Sequence, residues 1–78
     1  MNNTKGINLL YNYAVIDENC CCTSCMTYSY AGPLDFYIPV PDARDEYIDK
    51  YYNRATDLWY EDSAMTIEAV EVNEMYHG

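Results

Sequence analysis

Tyr51-Tyr52-Asn53-Arg54-Ala55-Thr56-Asp57-Leu58-Trp59-Tyr60-Glu61-Asp62 sets two aromatic runs on either side of a string of turn formers, a pattern that no other stretch of the chain repeats. Strand, turn, strand is the reading it supports. Tyr51 and Tyr52 then face Leu58, Trp59 and Tyr60 across a two-stranded ribbon, and aromatic cross-strand pairs stabilise such a ribbon by roughly 0.2–1 kcal/mol each. Asn53 and Asp57 tolerate the left-handed backbone that the loop needs. A lone hairpin is marginal in water, so the rest of the chain has to supply a surface for it.

That chain is 78 residues long, which predicts one small domain: a loose arm over residues 1–7, a β-hairpin core over 8–62 and a C-terminal segment over 63–78. A core of this size rarely supplies more than about 3–5 kcal/mol, so burial against a partner chain is expected to complete the fold. No run of about 20 apolar residues occurs, and residues 1–6 open no signal-peptide apolar region, so neither a membrane partner nor export is expected. The net charge is −9, of which residues 40–78 carry −7. Direct nucleic-acid binding is excluded on that balance, because displacing counterions from phosphates takes Lys and Arg. The acidic half fits a basic protein partner or a solvated face. Ten tyrosines fit half-buried protein contacts, where one end of a side chain is dry and the other wet, or equally the outward positions of a thin sheet.

The alternation of residue types places the strands. Residues 7–16 give a first strand, clearest over 11–16, with Tyr11, Tyr13 and Val15 on one face. Asp17-Glu18-Asn19 follows as a turn. The return strand runs over residues 20–30, and period-two alternation puts Cys22, Ser24, Met26, Tyr28 and Tyr30 on the expected core face, with Cys21, Thr23, Cys25, Thr27 and Ser29 opposite. After Ala31-Gly32-Pro33, residues 34–40 alternate again, Leu34, Phe36, Ile38 and Val40 against Asp35, Tyr37 and Pro39. Pro39 lacks a ladder donor, which predicts an edge strand or a strand that ends there. Pro41 to Tyr47 is a polar connection with one helical turn as an option. In the last segment Met65, Ala69, Val72 and Tyr76 form a helical stripe, while residues 66–72 equally support a strand. The fold class is mainly β: a small antiparallel sheet of β-hairpins, with a short C-terminal helix as one of the two readings of the end.

Little in the sequence carries chemistry. Cys20, Cys21, Cys22 and Cys25 fall within six residues, and Cys22 and Cys25 have the spacing of a metal-binding pair. A tetrahedral zinc site takes a second such pair, which is missing. Strict alternation also sends Cys20 and Cys22 away from Cys21 and Cys25, against a disulfide. Three readings remain open: free thiols in a reducing compartment, a metal held by Cys22 and Cys25, and a disulfide, including one between chains. Asp45 with Glu46, and Glu61 with Asp62, are sequence neighbours that point apart on a strand, and His77 has no orienting acid or nucleophile nearby. No catalytic residue and no cofactor is expected, and the chain is not expected to be an enzyme. The residues expected to meet a partner are Tyr47, Tyr51, Tyr52, Trp59 and Tyr60.

Both hairpins carry a resemblance. Tyr13-Ala14-Val15-Ile16-Asp17-Glu18-Asn19, and then Tyr51-Tyr52-Asn53-Arg54-Ala55-Thr56-Asp57-Leu58-Trp59-Tyr60, resemble small structural proteins of tailed bacteriophages encoded among virion and tail-fibre genes. Such proteins often open with a strand ending in Asp-Glu-Asn-Gly and close with a hairpin of the form Tyr-Asn-Pro-x-Thr-Gly-x-Trp. Here Cys20 stands where Gly is usual, Arg54 where Pro is, and Asp57 where Gly is. The resemblance covers roughly residues 13–62. It implies a non-enzymatic component of the particle, in the tail, tail fibre or capsid, assembled in the host cytoplasm and held to other virion proteins in a homo- or hetero-oligomer. Two other classes stay open: a small acidic phage-encoded inhibitor of host defence that mimics nucleic-acid phosphates, and a small metal-binding module.

Overall fold

In the computed structural model, which describes residues 10–29, 31 and 35–78, the aromatic hairpin forms as read, with strands at Tyr51–Asn53 and Leu58–Tyr60. Tyr52 lies opposite Trp59 and Tyr51 opposite Tyr60. In chain order the elements are β1 (Tyr11–Ile16), β2 (Cys22–Tyr28), β3 (Tyr37–Pro39), a 3-10 turn (Asp45–Tyr47), β4 (Tyr51–Asn53), β5 (Leu58–Tyr60) and α1 (Val70–His77). The fold is mainly β: an antiparallel three-stranded sheet ordered β2-β1-β3, an antiparallel pair β4-β5, and one short C-terminal helix. Pro39 sits on the edge strand β3, as its missing donor requires. The expected arm over residues 1–7, together with Tyr30 and Leu34, lies outside the described residues.

Each hairpin turn is closed by an acidic or amide side chain that accepts backbone N–H groups. Asp17 Oδ1 takes the N–H of Asn19 at 2.8 Å and of Cys21 at 3.0 Å. Asn53 Oδ1 takes those of Ala55 at 2.8 Å and Thr56 at 3.3 Å. The last residue of each turn is left-handed, Cys20 at φ 67° and Asp57 at φ 59°. These are two of the three positions at which the phage-like pattern has another residue, and at both that residue is Gly. Arg54, where the pattern has Pro, instead reaches the Asp35 carbonyl at 3.3 Å.

The two sheets meet at the cysteine run. Cys22 N–H donates to the Lys50 carbonyl at 2.8 Å, Asp49 N–H to the Cys22 carbonyl at 2.8 Å, and Tyr52 N–H to the Cys20 carbonyl at 2.9 Å. Cys21 forms a bridge with Tyr51. The inner edge of β4 is thereby paired, and small side chains suit a place where two backbones run side by side.

That junction overturns the strict alternation expected of residues 20–30. The ladder shifts between Val15 and Ile16: Val15 lies opposite Ser24, Ile16 opposite Cys22, and Thr23 is the extra residue of a β-bulge. Cys22 and Cys25 therefore share a face, with Ile16 and Ala14 as their partners, instead of pointing apart. The core face is that of Ala14, Ile16 and Ile38, joined by Cys22 and, half-buried, Cys25. Met26, expected inside, is 40% exposed. On the opposite face Tyr13 is buried against Tyr28 and Tyr37, with ring centroids 5.7–6.0 Å apart.

The helical reading of the C-terminal segment holds from Val70 onward, while the strand read over residues 66–72 is reduced to one isolated bridge at Glu68. Glu68 bridges Tyr60, Glu61 N–H donates to the Ile67 carbonyl at 2.8 Å and Ala69 N–H to the Trp59 carbonyl at 3.0 Å, so residues 67–69 lie against the outer edge of β5 without forming a strand of the sheet. The helix starts at Val70 and lays Val72 and Tyr76 of the expected stripe toward the hairpin. Met65 is not on the helix but in a turn at φ 57°, in a loop that Asp62 closes by accepting the N–H groups of Thr66 and Ile67.

Candidate functional site

Trp59 is the centre of the aromatic region. It is fully buried, with ring centroids 5.2 Å from Tyr47, 5.0 Å from Tyr52 and 6.0 Å from Tyr76. Tilted and edge-on pairs of this kind each contribute about 0.5–1.5 kcal/mol beyond the area they bury. Of the five residues expected to meet a partner, three therefore face inward: Tyr47 and Trp59 are at most 1% exposed and Tyr52 is 7% exposed. Their contacts are made within the chain because α1 and the 3-10 turn cover this face of the hairpin. Tyr51 and Tyr60, opposite each other, stay half-buried at the surface.

The helix is fastened by Asn73, which carries no signal in the sequence beyond being the polar residue four positions after Ala69 in an apolar stripe. Its side chain is buried and bonds the strand backbone twice: Trp59 N–H donates to Oδ1 at 2.7 Å, and Nδ2 donates to the Trp59 carbonyl at 3.0 Å. A second tie runs through Asp57. Its carboxylate accepts hydrogen bonds from the hydroxyls of Tyr52 and, at 2.6 Å, of Tyr76. Those bonds hold the Asp57 carboxyl below its ordinary pKa, while burial, joined by the bond to Asp57, pushes the Tyr76 phenol well above its own. His77 Nε2 lies 2.7 Å from the Asp57 carbonyl oxygen, so the only histidine is engaged at the helix end.

Covering the hairpin with α1 creates an open groove of about 860 Å³ between the helix, the 3-10 turn and the residues Lys50, Glu61 and Glu68 beside the hairpin strands. Glu46, Glu61, Glu68, Glu71 and Glu74 line it, against one cation, Lys50, whose Nζ is 3.5 Å from Glu61 Oε1. Val70, 54% exposed, and the half-buried Met75 give it an apolar strip. Glu46 is paired with Arg44 at 3.4 Å. The groove suits a cationic group on an aliphatic stem, which can lay its chain on the apolar strip and its charge among the carboxylates.

The cysteines are free thiols. Cys22 Sγ donates to the Ser24 carbonyl at 3.3 Å and Cys25 Sγ to the Arg44 carbonyl at 3.1 Å. Burial is the main cause that pushes both thiols up, Cys22 to about 12. Among the described residues no group of three or more His, Cys, Asp and Glu side chains converges on a metal position, and no helix is long and apolar enough to cross a membrane.

No protein family, curated protein or solved structure matches the chain.

Proposed function

We propose that this chain is a non-enzymatic structural component of a bacteriophage particle, belonging to its tail, tail fibre or capsid, and that it acts through protein–protein contacts. The observation that carries the contact reading is the groove beside α1, where five glutamates and an exposed valine surround a single lysine. A basic segment of another virion protein is the partner this surface suits, with half-buried Tyr51 and Tyr60 as further contact candidates. The assignment to a particle rests on the resemblance of the two hairpins, whose two departures from Gly fall on left-handed residues. A mass-spectrometric inventory of purified particles tests it. The chain should be present at a fixed ratio to the other tail or capsid proteins; its absence contradicts the proposal.

A second reading is favoured by the same carboxylates. Glu61, Glu68, Glu71 and Glu74 are gathered in one groove, as a mimic of nucleic-acid phosphates needs. An inhibitor of that kind is absent from particles and competes with DNA for a basic host nuclease, so the inventory and a competition assay separate the two.

A further inference from the structure

The three-stranded sheet has two edges, and they are not alike. β1 turns alternate backbone groups to each neighbour, as antiparallel ladders do. Ile16 N–H donates to the Phe36 carbonyl at 2.8 Å and Val40 N–H to the Asn12 carbonyl at 3.0 Å, with Ala14 opposite Ile38 between them, so the even-numbered residues of β1 serve β3. Tyr11, Tyr13 and Val15 then serve β2 through the residues opposite them, Tyr28, Met26 and Ser24. On β3 the groups left pointing outward are those of Tyr37 and Pro39, and Pro39 has no N–H to offer. On β2 they are those of Cys25 and Thr27, each with its donor. Residues 49–52 take up the outer edge of this strand only as far as Cys22. The 3-10 turn region reaches Cys25 through the thiol, which donates to the Arg44 carbonyl, and among the described residues no backbone group bonds the outward N–H or C=O of Cys25 or Thr27.

An open edge is a template for another strand, and natural edges are commonly guarded by charged side chains or proline. Cys22-Thr23-Ser24-Cys25-Met26-Thr27-Tyr28 holds neither, and the bulge at Thr23 lies at the end that is already paired. Charge chooses the partner. Two chains that carry −9 each repel, and they can approach only where charge is absent, as it is along β1, β2 and β3 alike. We propose that a second copy of this chain pairs with this edge, β2 against β2, antiparallel about a two-fold axis at Met26. The arrangement is self-complementary. Cys25 exchanges both backbone bonds with Thr27 of the second copy, and the two Met26 residues form a non-hydrogen-bonded pair with Cα atoms about 4.5 Å apart and side chains close. That contact covers an apolar side chain that is 40% exposed in the single chain. The result is one continuous sheet ordered β3-β1-β2-β2-β1-β3, with the glutamate groove beside α1 outside the seam.

Sedimentation equilibrium of the full, reduced chain from micromolar to millimolar concentration tests the seam. A monomer–dimer equilibrium that strengthens with salt is expected, since screening relieves the repulsion between two acidic chains. Met26→Lys and Met26→Glu, each at an exposed position, should both lose the dimer, because like charges then lie directly opposite. Mixed in equal amounts, the two variants should restore a dimer of one copy of each. Amide exchange of the wild-type chain serves where a variant does not fold: protection of Cys25 and Thr27 should rise with concentration, while that of Ala14, bonded within the sheet, stays constant. A wild-type chain that remains monomeric to millimolar concentration, a dimer untouched by both charged variants, variants that do not restore each other, or Cys25 and Thr27 amides equally unprotected at every concentration would overturn it.

Discussion

The two hairpin turns solve one backbone problem with the same two devices and end in different places. In each, a side-chain oxygen, from Asp17 or Asn53, gathers N–H groups, and a left-handed residue, Cys20 or Asp57, brings the chain back. At the first turn the left-handed side chain is a cysteine, a residue type for which that backbone region costs roughly 1–2 kcal/mol. At the second it is an aspartate, a type that tolerates the region, and its carboxylate binds Tyr52 of β4 and Tyr76 of α1. The difference teaches that the side chains of the first turn act locally and its tie to β4 runs through backbone alone, whereas the second turn is a side-chain joint through which hairpin and helix hold each other.

Substitutions sharpen that contrast. Trp59→Ala should have the largest effect, about 3–5 kcal/mol, because the indole is the shared core of hairpin and helix. Urea unfolding followed by far-ultraviolet circular dichroism measures it, and a loss of this size rivals the stability expected of the whole fold. Asn73→Ala comes next, at about 2–4 kcal/mol, since it strands the buried Trp59 N–H as well as removing bonds. The Trp59 carbonyl keeps the Ala69 N–H, which bounds the loss. Hydrogen exchange should show α1 and residues 67–69 opening before the three-stranded sheet in this variant.

Cys20→Gly should act in the opposite direction, stabilising by about 1 kcal/mol as the left-handed strain is relieved, less what glycine adds to the freedom of the unfolded chain. The smallest effect is that of Asp57→Asn, about 0.5–1 kcal/mol at pH 7, because asparagine keeps the backbone preference and a weaker acceptor. Its signature is the pH dependence. The folded-state pKa of Asp57 is depressed, so its contribution is present above the unfolded carboxyl value of about 3.9 and is lost as pH falls through the folded value. The stability gap between wild type and Asp57→Asn should narrow as pH drops below about 3.9 and close once it passes the folded value, as unfolding curves over a pH series descending from 7 will show.

Local chemistry was legible in the sequence where local chemistry decides. The strand at Tyr11–Ile16, the edge position of Pro39 and the Tyr52 to Trp59 pairing follow from alternation, a missing donor and turn residues. The bulge at Thr23 does not, because it is imposed by the second sheet pairing with Cys20 and Cys22, and no local pattern marks a residue that a distant strand will displace. The same holds for Asn73, whose partner is the backbone of Trp59 and hence invisible as a side-chain pattern. Tyr47, Tyr52 and Trp59 have the composition of contact residues, yet the chain's own helix covers them, so the surface of interest lies in the glutamates around α1, which sequence alone presents as a scattered acidic half.

Zero-length carbodiimide cross-linking of intact purified particles, followed by peptide mass spectrometry, tests the central claim most directly, because it joins a carboxylate to a lysine amine it already touches. Cross-links from Glu61, Glu68, Glu71 or Glu74 to lysines of another virion protein, weakened when particles are first dissociated at high salt, are the predicted result. A chain that is absent from the particles, or one whose cross-links come only from Asp17, Glu18 and Asp35 on the other sheet, would contradict the account.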